Sequence, residues 1–186
     1  MAALRSTGAA LAIAASVLAS APACHAKPST AIGVAMATVL RPLRVVAVAD
    51  MNFGTVTHAV GSGGTVTVSP GGAGAAFSGG ASAVCTASDC LAAHAALFSV
   101  SGEPQRNYAI QLPASITATG VATNPGATAP PLVVNGLTLR TTSGAGQHRL
   151  DASGADRFEV GGTITLPADL PPARYRASFA VIVSYS

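Results

Sequence analysis

Apolar and polar positions alternate with a period of two along much of this chain, and turn-forming residues interrupt the alternation at short intervals. Residues 30–40 (TAIGVAMATVL) put Ile32, Val34 and Met36 on one side with small residues between them, the signature of a half-buried strand. Pro42 stops that segment. Further strands are predicted over 43–48, 55–57 and 65–69, separated by the turn-like residues 50–54 and the glycine-rich residues 61–64 and halted by Pro70-Gly71-Gly72. In the second half, 97–101, 107–112, 131–140 and 158–166 read as strands between Gly, Pro and Ser breaks. Asn135-Gly136 suits either a tight hairpin turn or a bulge within one strand. Residues 173–186 (ARYRASFAVIVSYS) form the longest alternation, with Tyr175, Ala177, Phe179, Val181, Val183 and Tyr185 on one side, a face expected to be central to the core. Only 86–96, rich in Ala, carries helical propensity. The pattern predicts an all-β protein, an antiparallel β-sandwich with one short helix or disulfide loop.

Composition narrows what such a domain does. Charged residues are only 9% of 186, and ten Lys and Arg against seven Asp and Glu leave +3. The basic residues are scattered, Arg41 with Arg44 and Arg174 with Arg176 being the nearest to clusters, which is not a nucleic-acid footprint. With no Trp, three Tyr and five Phe, an aromatic platform for stacking bases or sugars is hard to build.

The first residues predict export. Arg5 precedes an uncharged apolar stretch over 8–21, and small residues follow at a cleavage position near Ala26, so 1–26 reads as a secretory signal peptide. The stretch is shorter than the roughly 18–20 apolar residues that cross a bilayer, and no transmembrane segment is expected in the mature chain. The protein is therefore expected in the periplasm, at the cell surface or outside the cell. Cleavage after Ala26 removes Cys24, whose alternative fate is lipidation, and leaves Cys85 and Cys90 as a pair for a disulfide. Such a bridge closes a small loop and contributes roughly 2 kcal/mol. The competing reading is a metal site from Cys85, Asp89, Cys90 and His94, with His94 one helical turn after Cys90. The set lacks a second pair of Cys or His ligands.

No catalytic motif stands out. His58, His94 and His148 are the histidines after the signal, without a zinc-protease, nucleophile-elbow, phosphate-loop or dinucleotide pattern around them. His148 near Asp151 and Asp156, with Ser143 and Ser153 close in sequence, has atoms suited to acid–base or nucleophilic work, but it lies in a polar, glycine-rich region that reads as a solvated loop. Asp156 and Glu159 likewise read as water-facing. A non-enzymatic protein without cofactor or metal is expected.

An ordered series of short runs carries a family resemblance. Pro42-Leu43 through Asp50, Asn52-Phe53-Gly54-Thr55, Gly64-Thr65-Val66-Thr67-Val68, Phe98-Ser99-Val100-Ser101-Gly102-Glu103-Pro104, Tyr108-Ala109-Ile110-Gln111-Leu112-Pro113, Val160-Gly161-Gly162-Thr163 and the final Tyr175 to Tyr185 together resemble the bacterial family labelled domain of unknown function 4402. More distantly the pattern is similar to chaperone–usher pilins, which have incomplete immunoglobulin-like sandwiches, an N-terminal donor strand and a terminal strand with a penultimate Tyr. Tyr185 matches that last feature. Ala173, where a Gly is expected, and the sequence-local Cys85 and Cys90 depart from the pilin pattern.

The resemblance implies an immunoglobulin-like sandwich over 43–186, preceded by 27–42 as an N-terminal extension or donor-like strand. In that arrangement Ile32, Val34 and Met36 are the assembly positions, and Tyr175, Phe179, Val181, Val183 and Tyr185 line the terminal strand. It implies self-association or pilin-like partner subunits, with a periplasmic chaperone and an outer-membrane usher. Two alternatives stay open: 30–40 as the first strand of its own domain, and a monomeric surface module that binds a glycan or protein ligand through its loops.

Overall fold

The structure, a computed structural model, describes residues 29–72, 74–84, 93–143 and 147–186. Every regular element among them is a β-strand, and every ladder between strands is antiparallel. No helix among the described residues is long and apolar enough to cross a membrane. In chain order the strands are β1 (Arg44–Ala49), β2 (Val56–His58), β3 (Gly64–Val68), β4 (Ala75–Gly79), β5 (Ala81–Ala83), β6 (Ala96–Ser101), β7 (Tyr108–Gln111), β8 (Ile116–Ala122), β9 (Leu132–Thr141), β10 (Ala155–Leu166), β11 (Ala173–Arg176) and β12 (Ile182–Tyr185).

β10 is the spine. Its even-numbered residues Asp156, Phe158, Val160, Gly162, Ile164 and Leu166 are all buried, so the period-two pattern puts one unbroken face into the core. One edge of β10 pairs with β9; the other pairs first with β6 and then with β3. The change of neighbour falls at Gly161, where a Cβ would run into the Val68 carbonyl and Pro70, so no larger residue fits. The resulting curled sheet runs β1-β6-β10-β9-β8-β11, with β3 and β4 added beside β10. Separate two-stranded sheets join β12 to β7 and β2 to β5.

Two apolar clusters hold these layers. One gathers Val66, Ala81, Ile116, Leu132, Val134, Ile164 and Leu166. The other packs Val100, Phe158 and Val160 of the large sheet against Tyr108, with Leu150 beside them and Phe179, Val181, Val183 and Tyr185 partly buried around them. Phe98 stacks on Phe158 with centroids 5.0 Å apart, a contact worth about 0.5–1.5 kcal/mol beyond the buried area.

Several expectations are corrected. The Asn135-Gly136 pair lies inside β9 at a register shift, with Gly136 at φ 59°, so it forms a bulge and not a hairpin. The glycine-rich residues 71–80 contain β4, and β8 occupies a stretch in which the alternation is masked by Ala, Thr and Gly. The described end of the expected helix over 86–96 is extended: His94 bridges Asn52 and Ala96 opens β6. The expected single strand over 173–186 is two strands, separated by residues 177–181, because each half pairs with a different partner. Ala177 is exposed, and the other residues of its face are half-buried instead of central.

Residues 39–186 form one compact unit. Residues 29–38, described by themselves, make no strand, and Ile32, Val34 and Met36 are 95%, 83% and 87% exposed. The expected strand is not formed there because a strand without a ladder partner is not stable in water. The expected signal peptide over 1–26, with Cys24, and the expected Cys85–Cys90 bridge fall outside the described residues.

Candidate functional site

The terminal strand pair gives the molecule its most distinctive surface. β11 pairs with β8 from Ala173 against Ala122 to Arg176 against Thr119. β12 pairs with β7 from Ile182 against Gln111 to Tyr185 against Tyr108. Between these ladders the partner chain turns away, because Ile116 to Ala118 pair instead with β9. The splay opens a cleft of about 430 Å³ lined by Leu112, Pro113, Ile116, Phe179, Ala180 and Ile182.

The other edge of β12 has no ladder partner among the described residues, and the same is true of the outer edge of β1, which pairs only with β6. Alternation keeps Phe179, Val181, Val183 and Tyr185 turned toward the core while Ala180, Ile182 and Ser184 face out. Of the named terminal residues, Tyr175 sits apart, in the first apolar cluster, with its hydroxyl buried without a hydrogen-bond partner. Burial pushes that phenol's pKa up. Tyr185 instead reaches across the end of the core: its hydroxyl donates to the Arg41 carbonyl at 2.7 Å and accepts from the Glu103 N–H at 2.6 Å.

The polar residues near His148 assemble differently from either sequence alternative. Asp156 is 8% exposed and sits on the core-facing side of β10. Its Oδ2 accepts from the Tyr108 hydroxyl at 2.8 Å and the Ser143 hydroxyl at 2.7 Å; its Oδ1 accepts from Thr142 at 2.9 Å and from the Arg157 N–H at 2.8 Å. The expectation that Asp156 faces water is thus corrected. Burial, and then Asp156 beside it, raise the Tyr108 phenol well above its ordinary range.

His148 packs its ring edge-on to Tyr108, centroids 5.9 Å apart, and its buried Nδ1 has no hydrogen-bond partner. Asp151 serves a turn, accepting from the Ser153 N–H and hydroxyl and from the Ala155 N–H; these donors, Ala155 foremost, lower its pKa. Glu159 accepts from the Gly71 N–H. The Ser, His and Asp residues near 148 are therefore spread over a hub and a turn, and no hydrogen bond joins His148 to Ser143 or Ser153.

At the far end, His58 bonds two carbonyls, with Nε2 3.0 Å from the Leu170 oxygen and Nδ1 3.1 Å from the Ala59 oxygen. Those two oxygens, the Leu170 one most, raise its pKa, with Asp169 adding to the effect. Among the described residues no three His, Cys, Asp or Glu side chains gather as metal ligands, and Cys85, Asp89 and Cys90 of the alternative metal set lie outside them.

The Asp156 hub had a signal in the sequence, since residue 156 shares parity with Phe158 and Val160 in an alternating run. The Tyr185 junction had none, because its partners are 82 and 144 residues away.

No curated protein and no solved structure matches this chain. The family model described as Domain of unknown function (DUF4402) matches residues 43–185, which span the strands from β1 to the end of β12, and the chain belongs to that family.

Proposed function

We propose that this is a non-enzymatic, exported structural or adhesive subunit that assembles by strand addition, the uncovered edge of β12 receiving residues 30–40 of a second copy. The observation that carries the reading is that edge: β12 has a ladder on one side only, while its apolar side chains already line a core. The strand order supports it. Within the longer order β1-β6-β10-β9-β8-β11, to which β3 and β4 add beside β10, the run β1-β6-β10-β9 and the pair β7-β12 are consistent with the A-B-E-D and C-F pairings of an immunoglobulin-like sandwich, in which a seventh strand pairs with F. Among the described residues no strand pairs with that side of β12.

The donor is matched in chemistry. Residues 30–40 alternate Ile32, Val34 and Met36 with small residues, carry no charge, and hold these three side chains in water. Burying each such side chain is worth about 1.5–3 kcal/mol, and main-chain bonds to β12 add register. Donor and acceptor surfaces on one chain are not self-complementary patches, so the association is head-to-tail and grows chains that stay open unless the rotation between copies closes them into a ring. A periplasmic chaperone and an outer-membrane usher are the partners that such a subunit takes during export.

Light scattering of the purified mature protein tests this. The expected result is a ladder of oligomers that deletion of residues 27–41 reduces to a folded monomer. An intact protein that remains monomeric at high concentration, or a deletion product that does not fold, refutes it.

A further inference from the structure

The junction at Tyr185 holds both backbone groups of one residue. Arg41 gives its N–H to Glu103 Oε2 at 3.0 Å and receives the Tyr185 hydroxyl on its carbonyl at 2.7 Å. Glu103 in turn gives its own N–H to the Tyr185 oxygen at 2.6 Å, closing the triangle. The site is built for this approach: a Cβ on buried Gly102 would strike the Tyr185 hydroxyl, Leu43 and Leu150.

Arg41 is exposed, so water would satisfy its N–H and carbonyl equally well, and hydrogen bonds at such a position add little net stability. What they change is freedom. Pro42 fixes its own φ near −65° and keeps Arg41 out of the helical region, so an orientation imposed at Arg41 passes directly into β1. Tyr185 meanwhile belongs to β12, the strand whose open edge is the acceptor. One phenol thus touches both the end of the accepting strand and the point where the donating segment begins.

We infer that Tyr185 and Glu103 are positioning residues for strand donation: they latch Arg41, the residue before Pro42 and β1, so that the anchor from which residues 30–40 are donated to a second copy is held in one backbone conformation. This rests on the strand-addition reading. The latch explains why Gly102-Glu103 and the penultimate Tyr occur in one chain, since each supplies one corner of the same triangle.

The test uses Tyr185→Phe, Glu103→Ala and Glu103→Gln in the mature protein, read two ways. Amide exchange, followed by NMR on the dilute monomer, is expected to accelerate roughly two- to tenfold at Arg41 in Glu103→Ala and at Glu103 in Tyr185→Phe, since each variant removes that amide's acceptor. Glu103→Gln, which retains an acceptor oxygen, is expected to restore most of the protection. Oligomer formation, followed by light scattering, is expected to slow by a similar factor in the first two variants, with the denaturation midpoint of the monomer nearly unchanged. Unaltered Arg41 exchange in Glu103→Ala or unaltered Glu103 exchange in Tyr185→Phe overturns the latch, and faster exchange with unaltered assembly overturns its role in donation. A wild type that never assembles overturns strand addition itself, and the exchange measurement, made on monomer, tells that failure apart from a missing latch.

Discussion

Replacing Asp156 by Ala strips four hydrogen bonds from a carboxylate that is 8% exposed, and the cost divides unevenly among the partners. Thr142 and Ser143 are exposed, so their hydroxyls turn to water once the carboxylate is gone. Tyr108 is 2% exposed and cannot, so its hydroxyl stays buried without an acceptor. A hydrogen bond to a charged group is worth about 1.5–3 kcal/mol, and a stranded buried donor costs about 1–3 kcal/mol more. Asp156→Ala is therefore expected to destabilise the protein by about 3–5 kcal/mol. Tyr108→Phe, which leaves Asp156 its other donors, is expected to cost about 1.5–3 kcal/mol.

The double variant isolates the pair. With Phe at 108 no donor is left stranded, so the cost of Asp156→Ala should fall by about 1.5–3 kcal/mol. Urea unfolding monitored by tyrosine fluorescence and circular dichroism, with the denaturant slope unchanged across the four proteins, supplies the free energies. A coupling below about 0.5 kcal/mol would refute the view that this carboxylate and this phenol form one unit.

Other consequences are more local. Gly161→Ala forces a methyl into the Val68 carbonyl and is expected to cost more than about 3 kcal/mol, whereas Gly136→Ala meets open space and is expected to cost only the left-handed backbone strain of about 1–2 kcal/mol; thermal melts of the two variants decide. His58, whose pKa is raised, contributes stability that is complete below about pH 6.5 and is lost as pH rises through its folded value. Denaturant midpoints across that range are expected to fall slightly with pH in the wild type, and to fall less in His58→Asn, the effect being small because the ring is solvent-screened. Expressed with residues 1–26 in a bacterium, the protein is expected by mass spectrometry to begin at residue 27; retention of 1–26 would refute the proposed reading of that segment as a signal.

The alternation that predicts β6, β7, β9 and β10 is legible because large apolar side chains mark the inward face, whereas β1 turns Val46 and Val48 outward. β4 and β8 were hidden because their inward positions include Ala, so the two faces hardly differ in hydropathy. In the terminal run Phe179, Val181, Val183 and Tyr185 are the half-buried positions, but parity says nothing about partners, and the switch from β8 to β7 is decided by where residues 112–118 go. The same blindness applies to the edge of β12. Ile182–Tyr185 carries none of the charges or prolines that commonly mark an edge strand, so its residues give no sign of an open side. The Asp156 hub is masked for a different reason: the polar stretch over 147–159 reads as solvated, whereas the alternation that Asp156 shares with Phe158 and Val160 puts its carboxylate inside.

β10 begins at residue 155, yet it is the partner of strands that start at 64, 96 and 132. During synthesis, then, β3 and β6 wait without their central neighbour until residues 155–166 have been made. Folding dominated by such distant pairings is slow. The large sheet consequently closes only when β10 arrives to bridge strands made long before it.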